Sequence, residues 1–319
     1  MRIKQAFAAG LLALTPALTG CLSLSGLFTH THSVIKTRLP DVVLNSTLDQ
    51  LLKQTTDRYD AVQSLTARIQ VSVKTGGSMK GAVTDTSDFH GYIILTKPEQ
   101  IRMIVLFPLG AGTLVDMVSD GKTFKMEIPH YNCAILGSDQ SQPSQKGIYA
   151  LRPAVILDSL LIQGIGPDQV VSMTQDSWTP PQPKNKKGIV EDPDYDIEFL
   201  SQPQGQNAHT LRVVHIDRVN LLPWQQDIYN ADGKVATQAF YSNYQKFGDI
   251  NFPTKIVIQR PLDDLGLTIT VTTATFNQQL PEDQFKLPIP AGDKITNLDD
   301  PANATVTDPC AVHGTQSPH

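Results

Sequence analysis

The chain has 319 residues, 40% of them hydrophobic and 18% charged, with 26 Lys and Arg against 31 Asp and Glu for a formal net charge of −5. This is ample material for a core, as one large all-β domain or two small ones. The mild acidity argues against nucleic acid and anionic lipid headgroups as partners.

The N-terminus sets the first expectation. Arg2 and Lys4 precede an apolar run from Ala6 to Leu18, interrupted only by Gly10, Thr15 and Pro16, and Leu18-Thr19-Gly20 lead into Cys21. The run is too short to span a bilayer stably, and a leucine before small residues and a cysteine is the pattern of a bacterial lipoprotein signal. Residues 1–20 are therefore expected to be cleaved and Cys21 to be lipidated, which takes the net charge from −5 to −7 because Arg2 and Lys4 leave with the signal. Two or three acyl chains on one cysteine suffice for stable membrane retention, whereas one does not. Leu22 follows the cysteine; by resemblance to the enterobacterial sorting pattern, in which aspartate there retains a protein at the inner membrane, it directs the chain to the outer membrane, facing the periplasm.

Residues 21–40 read as a tether closed by Pro40. His30 and His32 in it lack carboxylate or cysteine company, so a solvated linker is preferred to a metal site. Leu48, Leu51 and Leu52 form the stripe of an amphipathic helix over Asn45 to Tyr59, with Asn45 or Ser46 as its cap.

Alternation at Ile69, Val71 and Val73 opens a series of antiparallel strands, followed by apolar segments at Tyr92 to Leu95 and Ile101 to Phe107 with Lys97-Pro98 between them. Leu114 to Val118 and Thr123 to Ile128 flank Asp120-Gly121, a hairpin signal, because glycine accepts positive φ. A second helix is expected over Leu151 to Gln163, begun near Pro153 and stopped by Gly164. Thr174 to Pro193 holds four prolines and the cluster Lys184, Lys186 and Lys187, and reads as a polar, exposed insertion.

Strand signals resume at Tyr195 to Leu200, Leu211 to Ile216, Pro223 to Tyr229, Val235 to Tyr241, Thr254 to Gln259 and Leu267 to Phe276, with a bulge expected near Thr272 and Thr273. Pro281 to Phe285 suggests one helical turn, and residues 291–319 read as a disordered tail. The fold class expected is mainly β: a half-open antiparallel β-barrel of about ten to eleven strands, residues 41–290, with helices packed in or over its concave face.

Two strands break simple alternation. Ile93 to Leu95 and Met103 to Phe107 place apolar groups on both faces, which fits either a convex side meeting another apolar surface or central strands covered on both sides. The concave side holds either a filled core or an apolar cavity; candidates for a cavity wall are Ile69, Val71, Ile93, Leu95, Met103, Val105, Val115, Met117, Leu157, Leu160 and Leu161. Cys133 and Cys310 either bridge, tying the tail to the body, or remain apart.

In the order of its opening helix, Phe107-Pro108-Leu109-Gly110, the helix Leu151 to Gln163, Pro223-Trp224-Gln225-Gln226-Asp227, Tyr244, Pro253 and the closing Phe285-Lys286-Leu287-Pro288-Ile289-Pro290, the chain resembles the LolA/LolB-like family of bacterial lipoprotein carriers and receptors. The resemblance implies a barrel that takes acyl chains or lipoproteins into a hydrophobic cavity, with a periplasmic carrier or another envelope protein as partner. It also implies a projecting loop leucine that assists delivery; Leu109 matches that place, either exposed or folded back over the mouth. No cofactor and no metal are expected. The alternative is an assembly lipoprotein that uses the same fold to bind another envelope protein. An enzyme ranks last: no Gly-x-Ser-x-Gly, His-Glu-x-x-His or phosphate loop occurs, and His130 and His215 read as satisfied or exposed rather than catalytic.

Overall fold

The computed structural model describes residues 37–77, 82–110, 112–139, 149, 151–179, 189–303, 306 and 308–310. The first half runs β1 (Thr37–Arg38), α1 (Leu48–Ala61), β2 (Ser64–Gly77), β3 (Ala82–Thr96), β4 (Gln100–Leu106), β5 (Thr113–Ser119), β6 (Thr123–Ile128), β7 (Cys133–Ser138) and α2 (Pro153–Leu160). The second runs β8 (Gln169–Trp178), β9 (Ile189–Val190), β10 (Asp192–Ser201), β11 (Thr210–Asp217), β12 (Leu222–Tyr229), β13 (Val235–Phe247), β14 (Ile250–Arg260), β15 (Leu265–Phe276) and β16 (Lys294–Asn297). Cys21, the signal and both tether histidines lie outside the described residues.

Among the described residues, fourteen strands form one open sheet in the order β16-β7-β6-β5-β4-β3-β2-β15-β14-β13-β12-β11-β10-β8, and β1 pairs with β9 in a separate parallel ribbon. Two antiparallel meanders, β2 to β7 and β10 to β15, are thus sewn together where β15 lies against β2. The register slips between Val271 and Thr273, at the expected bulge. The mainly β, helix-poor expectation holds, but the strand count of ten to eleven is too low and the sheet does not close.

The sheet is strongly curved. α2 packs against β4, β5 and β14, and in a flat sheet β4 and β14 would lie about 19 Å apart at ~4.8 Å per strand, wider than the ~10–12 Å of a helix with its side chains. The strands therefore curl around α2. Its sequence suits this position: Pro153 sits in the first turn, where a missing N–H is harmless, and Pro153, Ile156, Leu157, Ser159 and Leu160 are all buried. Leu51 of α1, fully buried, meets Tyr195, Ile197, Phe199, Val214 and Ile216 in a second cluster over β10 and β11. Thr47, not Asn45 or Ser46, caps α1: its Oγ1 accepts from Gln50 N at 3.3 Å and Gln50 Oε1 accepts from Thr47 N at 3.0 Å.

The segment after β15 explains the two-faced strands. It leaves the sheet at Phe276 and crosses the convex side, where Ser64 Oγ donates to Gln278 O at 2.7 Å and Arg102 Nη1 to Gln284 O at 2.9 Å. The turn Glu282–Phe285 lies against β4, and Leu287 is buried. Arg102 itself is held by Asp116, with Nη2 to Oδ2 at 2.6 Å. The chain then enters the far edge as β16, parallel to β7.

Two boundaries are corrected by these contacts. The expected polar insertion at 174–193 begins within β8, which pairs with β10 from Asp192↔Trp178 to Ser201↔Gln169; its polar composition suits an edge strand. The expected disordered tail at 291–319 contains β16 and carries Cys310, bonded to Cys133 with Cα atoms 5.6 Å apart across 177 residues of sequence. A cross-link closing so long a loop stabilises typically by about 2–4 kcal/mol, through the chain freedom it removes from the unfolded state. Cys310→Ser is expected to lower the urea unfolding free energy by about that amount and to accelerate amide exchange in Lys294–Asn297 more than in β2 or β15.

Candidate functional site

Among the described residues, two mainly apolar cavities stand out, one against the end of α2 and one over the N-terminal meander. The first, about 240 Å³, lies between the C-terminal halves of α1 and α2 and the strands β13 and β14, walled by Tyr59, Leu160, Leu161, Tyr241, Tyr244 and Phe252 among others. The second, about 270 Å³, lies over β2 to β5 and is walled by Val71, Met103, Val105, Val115, Met117 and Leu267 among others. Each is slightly below the ~300–1,000 Å³ of drug-sized ligand sites, so each fits a slender ligand better than a bulky one.

The sequence-derived wall residues divide accordingly. Val71, Met103, Val105, Val115 and Met117 line the second cavity, and Leu160 and Leu161 the first. Ile69, Ile93, Leu95 and Leu157 belong to the same buried cluster but line neither. Strand alternation, and helical periodicity for Leu157, Leu160 and Leu161, had placed them inward without saying where packing would be incomplete. Leu109 belongs to the turn Pro108–Gly110 between β4 and β5, and its side chain lies outside the described residues.

The residues around the first cavity include buried polar groups that sequence reasoning missed. Arg58 Nη2 donates to Leu221 O at 2.8 Å, but its buried Nη1 has no hydrogen-bond partner. Tyr244 Oη donates to Pro223 O at 2.8 Å, whereas Tyr241 Oη, on a side chain only 5% exposed, has none. Burial draws the Arg58 guanidinium below its usual range and raises the Tyr241 phenol well above its own. Behind Tyr241, burial pushes the Asp158 carboxyl up to about 6 against the pull of Arg212.

A second polar cluster lies on the opposite face of the C-terminal meander. His215 Nδ1 is 2.6 Å from Asp196 Oδ1, and Nε2 is 3.6 Å from Asp227 Oδ2, which Gln225 and Gln238 also engage. Trp224 Nε1 donates to Asp194 Oδ2 at 3.1 Å, and its ring stacks on Trp178 at 4.2 Å. Asp194, Asp196 and His215 each offer a metal-ligand atom, all within 4.8 Å of one another, and the same geometry places a protonated His215 between the carboxylates of Asp196 and Asp227. His130 stands apart, exposed and edge-on to Tyr131 and Phe107.

Burial alone would lower the His215 pKa, but its bond to Asp196 and the nearby carboxylate of Asp227 outweigh that and raise it from 6.5 to about 9. A folded-state pKa above the unfolded one gives stability that is full below pH 6.5 and lost as pH rises through about 9. Between pH 6.5 and 9 the thermal midpoint of the protein is expected to converge on that of His215→Gln, which lacks this titration; parallel midpoints across the range would contradict it.

Comparison with known proteins adds the following. A family model described as an uncharacterized protein matches residues 185–288. No curated protein matches the chain. Among solved structures it is similar to a DUF1329 family protein from Desulfovibrio piger, with 15% identity and a TM-score of 0.47 over 74% of this chain and 94% of that one. It is also similar to a LolA superfamily protein from Nitrosomonas europaea, with 11% identity and a TM-score of 0.45 over 74% of this chain and 97% of that one.

Proposed function

We propose that this chain is an outer-membrane lipoprotein of the bacterial envelope, anchored through Cys21, that binds acyl chains or acylated proteins in the cavities beside α2 and takes part in their transfer or insertion. The observation that carries the reading is the pair of apolar cavities inside a sheet curled around an apolar helix. Burial of apolar surface yields about 0.8 kcal/mol per methylene, so about eight methylenes contribute roughly 6 kcal/mol before ordering costs. That magnitude suits capture and release. The activity is binding, without catalysis, cofactor or metal.

The tether fits this role. Thr37 lies sixteen positions after Cys21, which limits the reach from lipid to folded module to about 55 Å at ~3.4 Å per residue. The first described residues dock on the C-terminal meander, with Leu44 N donating to Arg218 O at 2.7 Å. A module so held samples the membrane that supplies or receives its ligand, and a periplasmic carrier or envelope protein is the partner that would meet it there.

Native mass spectrometry of the full chain is expected to show a co-purifying acyl ligand. Met103→Trp, which fills the second cavity, is expected to weaken binding of an acyl probe to that cavity at least tenfold while costing about 1–3 kcal/mol of stability through overpacking. An empty protein with no acyl affinity would favour the assembly lipoprotein that acts through its surface, and turnover of a lipid ester panel would make the chain an enzyme.

A further inference from the structure

The polar cluster on the outer face of the C-terminal meander is built by the pairing of β10 with β11. Side chains alternate across a strand, so Tyr195, Ile197 and Phe199 pack with Leu51 of α1 while Asp194 and Asp196 share the opposite face. His215 is the direct cross-strand partner of Asp196. Three side chains from two adjacent strands thus converge, each offering one ligand atom, with no two of these atoms farther apart than 4.8 Å. The cluster is not a solvated acidic patch: Asp194 is 2% exposed, and the side chains of Asp196 and His215 are each 17% exposed. Two features call for a positive ion. Asp194 Oδ2 accepts from Trp224 Nε1, but Asp194 Oδ1 is buried with no hydrogen-bond partner, a costly state for a carboxylate. In addition, the three carboxylates of Asp194, Asp196 and Asp227 face one imidazole, and no Lys or Arg is ion-paired with any of them among the described residues. A proton on His215 balances one of those charges.

We propose that Asp194, Asp196 and His215 hold one divalent transition-metal ion, of the class of Zn²⁺, through two carboxylate oxygens and one imidazole nitrogen. A point among three atoms no more than 4.8 Å apart lies within about 2.8 Å of each, so shifts below an ångström reach the ~2.0–2.2 Å of Zn–N and Zn–O bonds. The mixed donor set decides the class, because imidazole nitrogen suits Zn²⁺ and its first-row neighbours whereas Mg²⁺ and Ca²⁺ take oxygen. Partners outside the three ligands are also in place. Trp224 Nε1 holds Asp194, and Asp227 Oδ2, 3.6 Å from His215 Nε2, stands on the far side of the ring from Nδ1, which faces Asp196. On binding, His215 gives its proton to solvent, and the ion takes that proton's place beside Asp196. The ion pins β10 to β11 on the face opposite α1. Acyl binding in the cavities needs no metal, so the two readings stand or fall separately.

Both tryptophans of the chain report on this site, since Trp224 bonds to Asp194 and Trp178 stacks on Trp224 at 4.2 Å. The full chain, stripped of metal with a chelator, is titrated with Co²⁺, whose partly filled d shell quenches indole emission, and then with Zn²⁺ in competition. Co²⁺ is expected to quench the tryptophan emission with a stoichiometry of one, and Zn²⁺ to displace it, restore the emission and raise the thermal midpoint, as an ion bound by the folded state alone must. Mg²⁺ at the same concentration is expected to do neither. Asp194→Asn, which keeps an acceptor for Trp224, and His215→Gln are each expected to weaken Co²⁺ binding by roughly tenfold or more, the loss that follows removal of one ligand. Thermal midpoints in chelator show that each variant folds, and the titration of the unsubstituted chain carries the test if one does not. Emission unmoved by Co²⁺, or a quench that both variants leave unchanged, overturns the site and leaves the charge balanced by protons on Asp194 and His215. An equal response to Mg²⁺ overturns the class of metal.

Discussion

The ladder between β2 and β15 is the constraint on which the rest of the fold depends. It runs from Leu265↔Thr75 to Phe276↔Leu65 and joins the first long strand of the chain to the last, so two meanders that each form from local hairpins become one surface. Without it α2 would face one meander at a time. With it, the helix meets β4 and β5 on one side and β14 on the other, and the bend needed for that double contact sets the cavities. A pairing of such high sequence separation forms only after its entropy of closure has been met, and the local turns at Asp120-Gly121 and Asp232-Gly233 shorten the path by building each meander first.

Curvature creates an exposed convex side, and the chain covers part of it with its own closing segment. Residues 277–293 cross β2 to β6, anchored by Ser64 and Arg102, and end in β16 at the far edge. The disulfide then holds that edge, and Cys133 and Cys310 are both buried. This is why Ile94, Ile104 and Leu106 could be apolar although their neighbours Ile93, Met103 and Val105 already point to the core. The second face of those strands is partly protein-covered rather than solvated.

Much of this was legible in the sequence where periodicity is local. Both helices, eleven of the strands, the bulge and the Asp120-Gly121 turn follow from alternation and turn chemistry, and the residues of β2 to β5 named as candidates for a cavity wall are buried. The elements that escaped, β1, β7, β8, β9 and β16, mostly lie at edges or in the outlying ribbon, where a segment becomes a strand because a distant partner offers hydrogen bonds rather than because its own pattern demands it. β8 is the clearest example: Thr174 to Trp178 is polar, and only β10 makes it a strand. The cap of α1 was misplaced by one or two residues because Asn45, Ser46 and Thr47 all qualify, and the reciprocal bond with Gln50 decides among them.

By itself the sequence determined the class of the fold, because strand period and glycine turns are properties of neighbouring residues, and it raised an expectation about the address of the chain, resting on Cys21. It also determined which faces are apolar. Only the tertiary structure decided where those faces fail to fill space, because a cavity is a difference between the volume enclosed and the side chains that occupy it, summed over residues far apart in sequence. The same holds for Arg58 and Tyr241. Nothing in their local sequence marks them, and they become notable only when α1 and β13 are packed and leave each with a buried polar atom that has no partner in the protein.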